Sequence, residues 1–276
     1  MNLHSLHKQL SYLPDTPVMP ALFVGHGSPM NAIEDNEFSQ RWNELGNTLP
    51  YPKAILCISA HWETRGTFVT AVEQPKTIHD FYGFPKELFA QQYPVKGFPE
   101  LAVDIADNSK NFGIEPEYEW GLDHGSWSIL KHLYPKADIP VIQLSIDYTK
   151  DMNYHVELAR EFNYLRRKGV LIIGSGNMIH NLRMVRLKDD DFNTPYAYDW
   201  AMEINEKFKA KILDNDIRSL TEYRTLDSSI NLAIPSAEHY IPLLYTLALK
   251  EKDENVIIFN DRVIAGSLSM TSVIIN

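Results

Sequence analysis

The sequence predicts a single α/β domain whose central, largely parallel or mixed sheet is flanked by helices on both faces. Short apolar runs typical of buried strands alternate along the chain with longer amphipathic segments of helical period. This alternation is characteristic of parallel strands joined by crossover helices, which cover both faces of the sheet. The chain has 276 residues, 44% of them hydrophobic, which is enough for one complete core.

The elements follow one another in a regular order. Apolar runs predict strands at residues 21–25, 54–60, 67–72, 140–146 and 170–174, with further candidates at 256–259 and 262–267. Amphipathic patterns predict helices near residues 37–49, 101–111, 127–134, 152–168, 196–214 and 239–250. Residues 1–19 are expected to be an irregular segment, and residues 20–276 to form one catalytic domain.

Composition excludes several classes of protein. The formal charge of −10 disfavours binding to nucleic acid or an anionic membrane surface, since phosphates would be repelled. No apolar run approaches the roughly 18 residues that a spanning helix needs, and the N-terminus does not resemble a signal peptide. The single cysteine, Cys57, lies in the apolar run AILCISAHW and is expected to be a buried core residue. A cytoplasmic protein is therefore expected.

Three histidines stand at or just beyond the ends of predicted strands. His26 follows the strand in ALFVGHGSP, His61 ends the strand in AILCISAHW, and His180 follows the strand in VLIIGSGNMIHN. Ligands of open α/β sheets bind in the crevice outside the carboxyl ends of the strands. One such histidine is more often a hydrogen-bonded framework residue, but repetition at three strand ends favours a shared metal or catalytic site.

Two more histidines stand near predicted helix starts. His124 lies in GLDHGSW, where the adjacent Asp123 could accept a hydrogen bond from it and fix its tautomer. His239 lies in IPSAEHYIPLLY, where Ser236 is the expected N-cap and Glu238 is expected to complement the helix dipole. Imidazole suits Zn²⁺, Fe²⁺, Cu²⁺ and Ni²⁺, and three imidazoles with an open position form a catalytic rather than a closed structural site.

The segment TIHDFYGFP, residues 77–85, is the expected wall of a binding pocket. Its residues His79, Asp80, Phe81 and Tyr82 combine aromatic faces with polar groups, a composition that suits an aromatic diol. Asp123 joins this set of substrate-binding candidates through its position beside His124. The alternative is an ordinary loop anchored by aromatic packing.

Seven motifs together resemble the class III extradiol ring-cleavage dioxygenases, and within them the bacterial 4,5-DOPA dioxygenase type. They are MPALFVGHGSPMNAIEDN, ISAHWETRG, TIHDFYGFP, WGLDHGSW, GSGNMIHNLR, AEHYIPLLY and GSLSMTSV, in the expected order over residues 19–275. The resemblance implies that His26, His61 and His239 are metal ligands. It also implies that His180 is the acid/base residue or a fourth ligand, and that His124 is a second catalytic, non-ligand histidine of the pocket.

The resemblance further implies cleavage of a catechol ring by O₂, with L-DOPA or a related catechol as substrate. Some members of this family use Glu as the third ligand, whereas this chain has the pair Glu238 and His239. The metal is therefore open between Fe²⁺, which oxygen chemistry needs, and Zn²⁺, which lacks an accessible redox change. A zinc hydrolase and a non-catalytic metal- or ligand-binding protein on the same scaffold are the alternatives. The oligomeric state is also open.

Overall fold

The computed structural model describes residues 13–189, 191–192 and 194–276. Its strands are β1 (Ala21–Gly25), β2 (Ala54–Thr64), β3 (Phe68–Thr70), β4 (Glu115–Glu117), β5 (Val141–Asp147), β6 (Val170–Gly176), β7 (Val256–Phe259), β8 (Val263–Ile264), β9 (Leu268–Ser269) and β10 (Ser272–Ile275). Its helices are α1 (Glu37–Thr48), α2 (Lys86–Phe89), α3 (Pro99–Asn108), α4 (His124–Leu133), α5 (Met152–Glu161), α6 (Asn163–Arg166), α7 (Asp199–Leu213), α8 (Ile217–Thr221), α9 (Ile230–Ala233) and α10 (Ile241–Ala248).

Eight strands form the central sheet in the order β4-β3-β5-β2-β6-β1-β10-β7. The four middle strands, β5, β2, β6 and β1, pair in parallel, and β3 pairs in parallel with β4. Strand β10 is antiparallel to both β1 and β7, and β3 is antiparallel to β5. The predicted fold class, a mixed sheet with a largely parallel centre, is confirmed.

The middle strands bury both of their faces. Phe23 and Leu56 contribute to one hydrophobic core, whereas the adjacent Leu22 and Ile55 contribute to a second core across the sheet. This division follows from the alternation of side chains along a strand. Cys57 belongs to the second core, as predicted, and burial raises the pKa of its thiol to about 12.

Some predicted boundaries are wrong. The run 262–267 is not one strand, because Ala265 and Gly266 adopt φ of 49° and 79° and turn the chain from β8 into β9. The predicted helix 152–168 divides into α5 and α6 at Phe162, whose side chain is buried in the core. Strand β2 continues to Thr64, past a register shift between Ile58 and Glu63, so its histidine lies within the strand.

The described part of the predicted irregular segment, residues 13–19, contains no helix or strand. Residues 1–12 lie outside the described residues, so the proposed boundary between an N-terminal segment and a domain over 20–276 stays a prediction. Within the described ranges, no helix has the length and apolarity needed to cross a membrane. The cytoplasmic location likewise stays a prediction.

Candidate metal centre

Five histidines meet at the carboxyl edge of the parallel strands. They line one cavity of about 380 Å³ and are His26, His61, His124, His180 and His239. Strands β2, β6 and β1 are neighbours and run in parallel, so the residues at their carboxyl ends reach the same edge of the sheet. The expected convergence of the three strand-end histidines is therefore observed, and the other two join them.

A hydroxyl behind the ring of His26 fixes its tautomer. The Ser175 hydroxyl donates to the Gly125 carbonyl oxygen at 2.5 Å, so it can only accept from Nδ1 of His26, 2.9 Å away. With the proton on Nδ1, the other nitrogen, Nε2, carries a lone pair. That lone pair points at the imidazole of His61, whose Nε2 lies 3.1 Å away.

The charge of a nearby carboxylate favours the same tautomer of His61. Its Nδ1 lies 3.4 Å from Oδ2 of Asp80, and an ionised carboxylate can only accept. Nε2 of His61 therefore also carries a lone pair. Two lone pairs that face each other at 3.1 Å repel, unless a cation or a proton lies between them. This arrangement fits a metal ion.

The third imidazole is held by the residue before it. Nδ1 of His239 donates to Oε1 of Glu238 at 3.1 Å. Its Nε2 is buried and has no hydrogen-bond partner among the residues that the structure describes. A buried nitrogen without a partner is costly, and a bound cation would satisfy it.

The spacing of these three rings suits one ion. The ring centroids of His26, His61 and His239 lie 5.0, 5.3 and 5.0 Å from one another. An ion at the usual Zn–N distance of about 2.0–2.1 Å from three tetrahedrally arranged imidazoles would hold their centroids about 5 Å apart. The three imidazoles and their ring spacing therefore fit a metal ion.

The donor atoms that lie closest together group these residues differently. The ligand atoms of His26, His61 and His124 lie within 4.8 Å of one another, as do those of His180, Glu238 and His239. The imidazoles of His180 and His239 are stacked, with centroids 3.5 Å apart and planes 7° from parallel. Since the lone pairs of stacked rings run side by side, these two rings are poorly arranged to bind the same ion.

The expectation for Ser236 and Glu238 is wrong. Helix α10 begins only at Ile241, so Ser236 is not its N-cap and Glu238 is not in its first turn. Instead the Ser236 hydroxyl donates to Oε1 of Glu238, the same oxygen that accepts from His239. Pro242 explains the late start, because proline is favoured in the first turn of a helix.

A glycine of β6 lets the His239 segment approach the sheet. The His239 carbonyl oxygen accepts from the Asn177 amide at 2.9 Å, and a Cβ atom on Gly176 would lie only 2.1 Å from that oxygen. Any side chain at Gly176 would therefore displace the backbone of His239.

We expect Gly176→Ala to lower the free energy of unfolding by about 1–3 kcal/mol, since overpacking forces backbone shifts, and to weaken metal retention. Urea unfolding and metal analysis would measure both effects. Gly113→Ala is a matched control, because Gly113 has φ of 63° and open space around its Cβ position. That control should lose stability and retain metal, and equal metal retention by both variants would contradict the prediction.

The carboxylate beside His124 is not the one expected from the sequence. Nδ1 of His124 lies 2.9 Å from Oδ2 of Asp80, which comes from the loop before α2. Asp123 is 0% exposed, and its carboxylate accepts from the Ser59 hydroxyl, the Gln143 amide and the first turn of α4. The predicted contact of Asp123 with His124 is wrong, because Asp123 caps the helix that begins at His124.

Burial lowers the pKa of four histidines of the cavity and favours their neutral form. Loss of hydration, followed by the nearby imidazoles, holds the pKa of His26 and of His239 well below the usual value. The same causes lower the pKa of His61 to about 3 and of His180 to about 4. Burial would raise the pKa of Asp80, but the hydrogen bond from His124 and the two neighbouring imidazoles outweigh it and lower that pKa. Neutral imidazole is the form that binds metal.

The rest of the cavity is largely apolar. Phe81, Tyr82 and Phe84 line it from the predicted wall, and Leu182 and Phe192 line it from the segment after β6. Tyr82 is 91% exposed and stands at the mouth of the cavity.

Two candidates from the sequence lie outside the cavity lining. His79 is directed away, with its Nε2 on the Gln91 carbonyl oxygen at 2.9 Å, and Asp123 is enclosed in the core.

Sequence reasoning missed Ser175, Leu182 and Phe192. Ser175 lies inside the buried run VLIIGSG, where a hydroxyl among apolar residues was the available signal. Leu182 and Phe192 belong to a segment without a recognisable period, so their place in the cavity followed only from the folded chain.

Residues 20–257 match the family described as the catalytic LigB subunit of aromatic ring-opening dioxygenase. The match covers most of the chain, which therefore belongs to this family. The aromatic cavity and the cluster of histidines are consistent with that class of enzyme.

Two similar proteins and one solved structure support the same assignment. The chain is 45% identical to a 4,5-DOPA dioxygenase extradiol of Escherichia coli, over 92% of this chain and 94% of that protein. It is 36% identical to a 4,5-DOPA dioxygenase extradiol of Beta vulgaris, over 82% and 85% of the two chains. A crystal structure of an uncharacterized protein from Escherichia coli K12 superposes with a TM-score of 0.81 at 41% identity, covering 94% and 100% of the two chains. The chain is an extradiol ring-opening dioxygenase.

Proposed function

We propose that this enzyme uses Fe²⁺, held by His26, His61 and His239, to cleave a catechol ring with O₂, and that 4,5-cleavage of L-DOPA is its reaction. The observation that carries the metal assignment is the set of three Nε2 atoms that carry lone pairs on rings about 5 Å apart. One of these atoms, in His239, is buried without a hydrogen-bond partner among the described residues. Zn²⁺ would fit the same donors.

The cavity supports an aromatic diol as substrate. Its volume of about 380 Å³ falls within the usual range for small-molecule sites, and Phe81, Phe84 and Phe192 supply apolar walls for a ring. The name of the relatives from Escherichia coli and Beta vulgaris supports DOPA in particular. The exposed Tyr82 at the mouth is placed to contact the ring substituent as it extends toward solvent.

The residues that line the cavity would have different roles in the reaction of the diol. His180 lines the cavity, and no described residue forms a hydrogen bond with its imidazole, so it is free to accept a proton from a catechol hydroxyl. Its stacking on His239 supports a role as base rather than as a fourth ligand. His124 directs Nε2 away from Asp80, where it can hydrogen-bond to substrate or oxygen. The aromatic walls exclude water. Bound Fe²⁺ would supply Lewis acidity and redox chemistry.

Reconstitution of metal-free protein tests this function. The protein would be loaded anaerobically with Fe²⁺ or Zn²⁺ and mixed with L-DOPA or 4-methylcatechol in aerated buffer. Oxygen uptake and the absorbance of the yellow ring-opened semialdehyde would be recorded. We expect uptake of one O₂ per catechol with Fe²⁺ and none with Zn²⁺, because Zn²⁺ has no accessible redox change.

The two catechols separate ring cleavage from substrate choice. Turnover of 4-methylcatechol without turnover of L-DOPA would retain the ring-cleavage reaction and refute the assignment of L-DOPA. Absence of uptake with either metal, at one bound ion per chain, would favour a hydrolase or a binding protein instead.

A further inference from the structure

The carboxylate of Asp80 lies beside two histidines of the cluster, His61 and His124. Oδ2 of Asp80 lies 2.9 Å from Nδ1 of His124 and 3.4 Å from Nδ1 of His61. The other oxygen, Oδ1, accepts from the backbone amide of His124 at 2.9 Å. Both oxygens of Asp80 are therefore engaged with protein groups, although its side chain is still 20% exposed. This arrangement differs from a residue that binds substrate directly.

The shared oxygen favours a proton on the nearer nitrogen of each ring, through a hydrogen bond from His124 and through charge alone for His61. An ionised carboxylate accepts but cannot donate, so a neutral imidazole in contact with it carries its proton on the facing nitrogen. Here the facing nitrogen is Nδ1 in both His61 and His124. Nε2 of His61, which faces His26, then carries a lone pair. Nε2 of His124, on the side of the ring away from Asp80, is available to groups in the cavity.

The same side chain attaches the aromatic wall to the core. Asp80 immediately precedes Phe81 and Tyr82, and its Oδ1 contact is with the first residue of α4. The ring of Phe81 in turn lies against His124, with centroids 5.6 Å apart and planes 84° from each other. Loss of the carboxylate would thus disturb the tautomers of His61 and His124 and the position of the aromatic wall.

We propose that Asp80 is a positioning residue that holds His61 and His124 in the Nδ1–H tautomer, so that one presents Nε2 to the metal and the other presents Nε2 to the cavity. This inference rests on the proposed function for the roles of the two rings. The expectation that Asp80 contacts substrate stays a prediction, since Asp80 also lines the cavity. Outer partners of this kind commonly contribute about 10–100-fold to metal affinity or activity.

Asp80→Asn is the sharpest substitution, because the two side chains have nearly the same shape. If the amide nitrogen takes the position of Oδ2, it faces two Nδ1–H groups and favours the Nε2–H tautomer of both rings. If it takes the position of Oδ1, it faces the amide N–H of His124. Either orientation opposes a donor to a donor, so the wild-type arrangement cannot persist.

The first measurement is direct and needs no metal. Long-range ¹H–¹⁵N correlation spectra of the metal-free protein distinguish Nδ1–H from Nε2–H imidazoles. We expect the Nδ1–H form for His124 in the wild type, and an increase of its Nε2–H form in Asp80→Asn. His61 is diagnostic only with metal bound, because in the metal-free protein a proton on its Nε2 can be donated to Nε2 of His26. The Nε2–H form of His124 in the wild type would overturn the proposal, even if the variant did not fold.

The second measurement is metal affinity, obtained by competition for Zn²⁺ with a chelating indicator. We expect Asp80→Asn to bind Zn²⁺ about 10–100-fold more weakly than the wild type. Glu87→Gln is the matched control, since it removes an exposed carboxylate from the nearby helix α2 and should leave the affinity unchanged. Circular dichroism would verify that both variants are folded.

Equal Zn²⁺ affinity of folded Asp80→Asn and Glu87→Gln would refute the positioning role. A different result would refute the proposed function, namely the absence of oxygen uptake by the Fe²⁺-loaded wild type. The tautomers and the Zn²⁺ affinities do not depend on that result, so the two failures can be told apart.

Discussion

Replacing His61 with alanine is expected to reduce the metal content from one ion per chain to nearly none, and oxygen uptake with it. The imidazole of His61 supplies one of three proposed ligand nitrogens, and its Nε2 lies 3.1 Å from Nε2 of His26. Without it, two protein ligands remain, fewer than the three that catalytic sites of this kind use. Elemental analysis after gel filtration, together with oxygen uptake on an Fe²⁺-loaded sample, would measure the two losses.

A histidine outside the cluster provides the control for this substitution. His132 lies in the last turn of α4, and its Nε2 contacts the Asn31 carbonyl oxygen at 2.7 Å. Glutamine can retain that hydrogen bond, so His132→Gln should bind as much metal as the wild type. If His61→Ala also bound as much metal as the wild type, the assignment of His61 as a ligand would have to be abandoned.

His180→Gln is expected to retain one metal ion per chain while kcat falls by about 10²–10⁴-fold, the usual contribution of a general acid or base. The ring of His180 is stacked on His239 with planes 7° apart, an arrangement unsuited to shared coordination. Glutamine keeps a polar side chain of similar length but cannot take up the catechol proton.

The assay for His180→Gln would pair metal analysis with steady-state oxygen uptake over a range of catechol concentrations. A fall in kcat with unchanged metal content would support the role of base. A loss of metal comparable to that of His61→Ala would instead make His180 a fourth ligand, which is the other role that the sequence resemblance implied.

The sequence by itself determined the fold class. Buried parallel strands need continuous apolar runs, and runs such as 21–25 and 170–174 are visible without any tertiary information. Strand β4 was missed because Glu115–Glu117 is short and polar. The run 262–267 was wrongly predicted as one strand, because backbone turns at Ala265 and Gly266 do not interrupt an apolar pattern.

The sequence also located the histidines, because the carboxyl ends of neighbouring parallel strands must meet at one edge of the sheet. His26, His61 and His180 were found on that ground alone, and they line one cavity. The hydrogen-bond partners of the histidines could not be predicted from the sequence. Ser175 is 149 residues from His26, and Asp80 is 44 residues from His124.

The tertiary structure alone decided which polar group faces which ring nitrogen. Asp123 adjoins His124 in the chain, yet its carboxylate caps α4 and accepts from Ser59 and Gln143, while Asp80 takes the place beside the imidazole. The physical reason is that a hydrogen bond depends on distance and direction in space, which adjacency along the chain does not fix. Local pattern therefore determines where imidazoles gather, and long-range packing determines their tautomers and what they can bind.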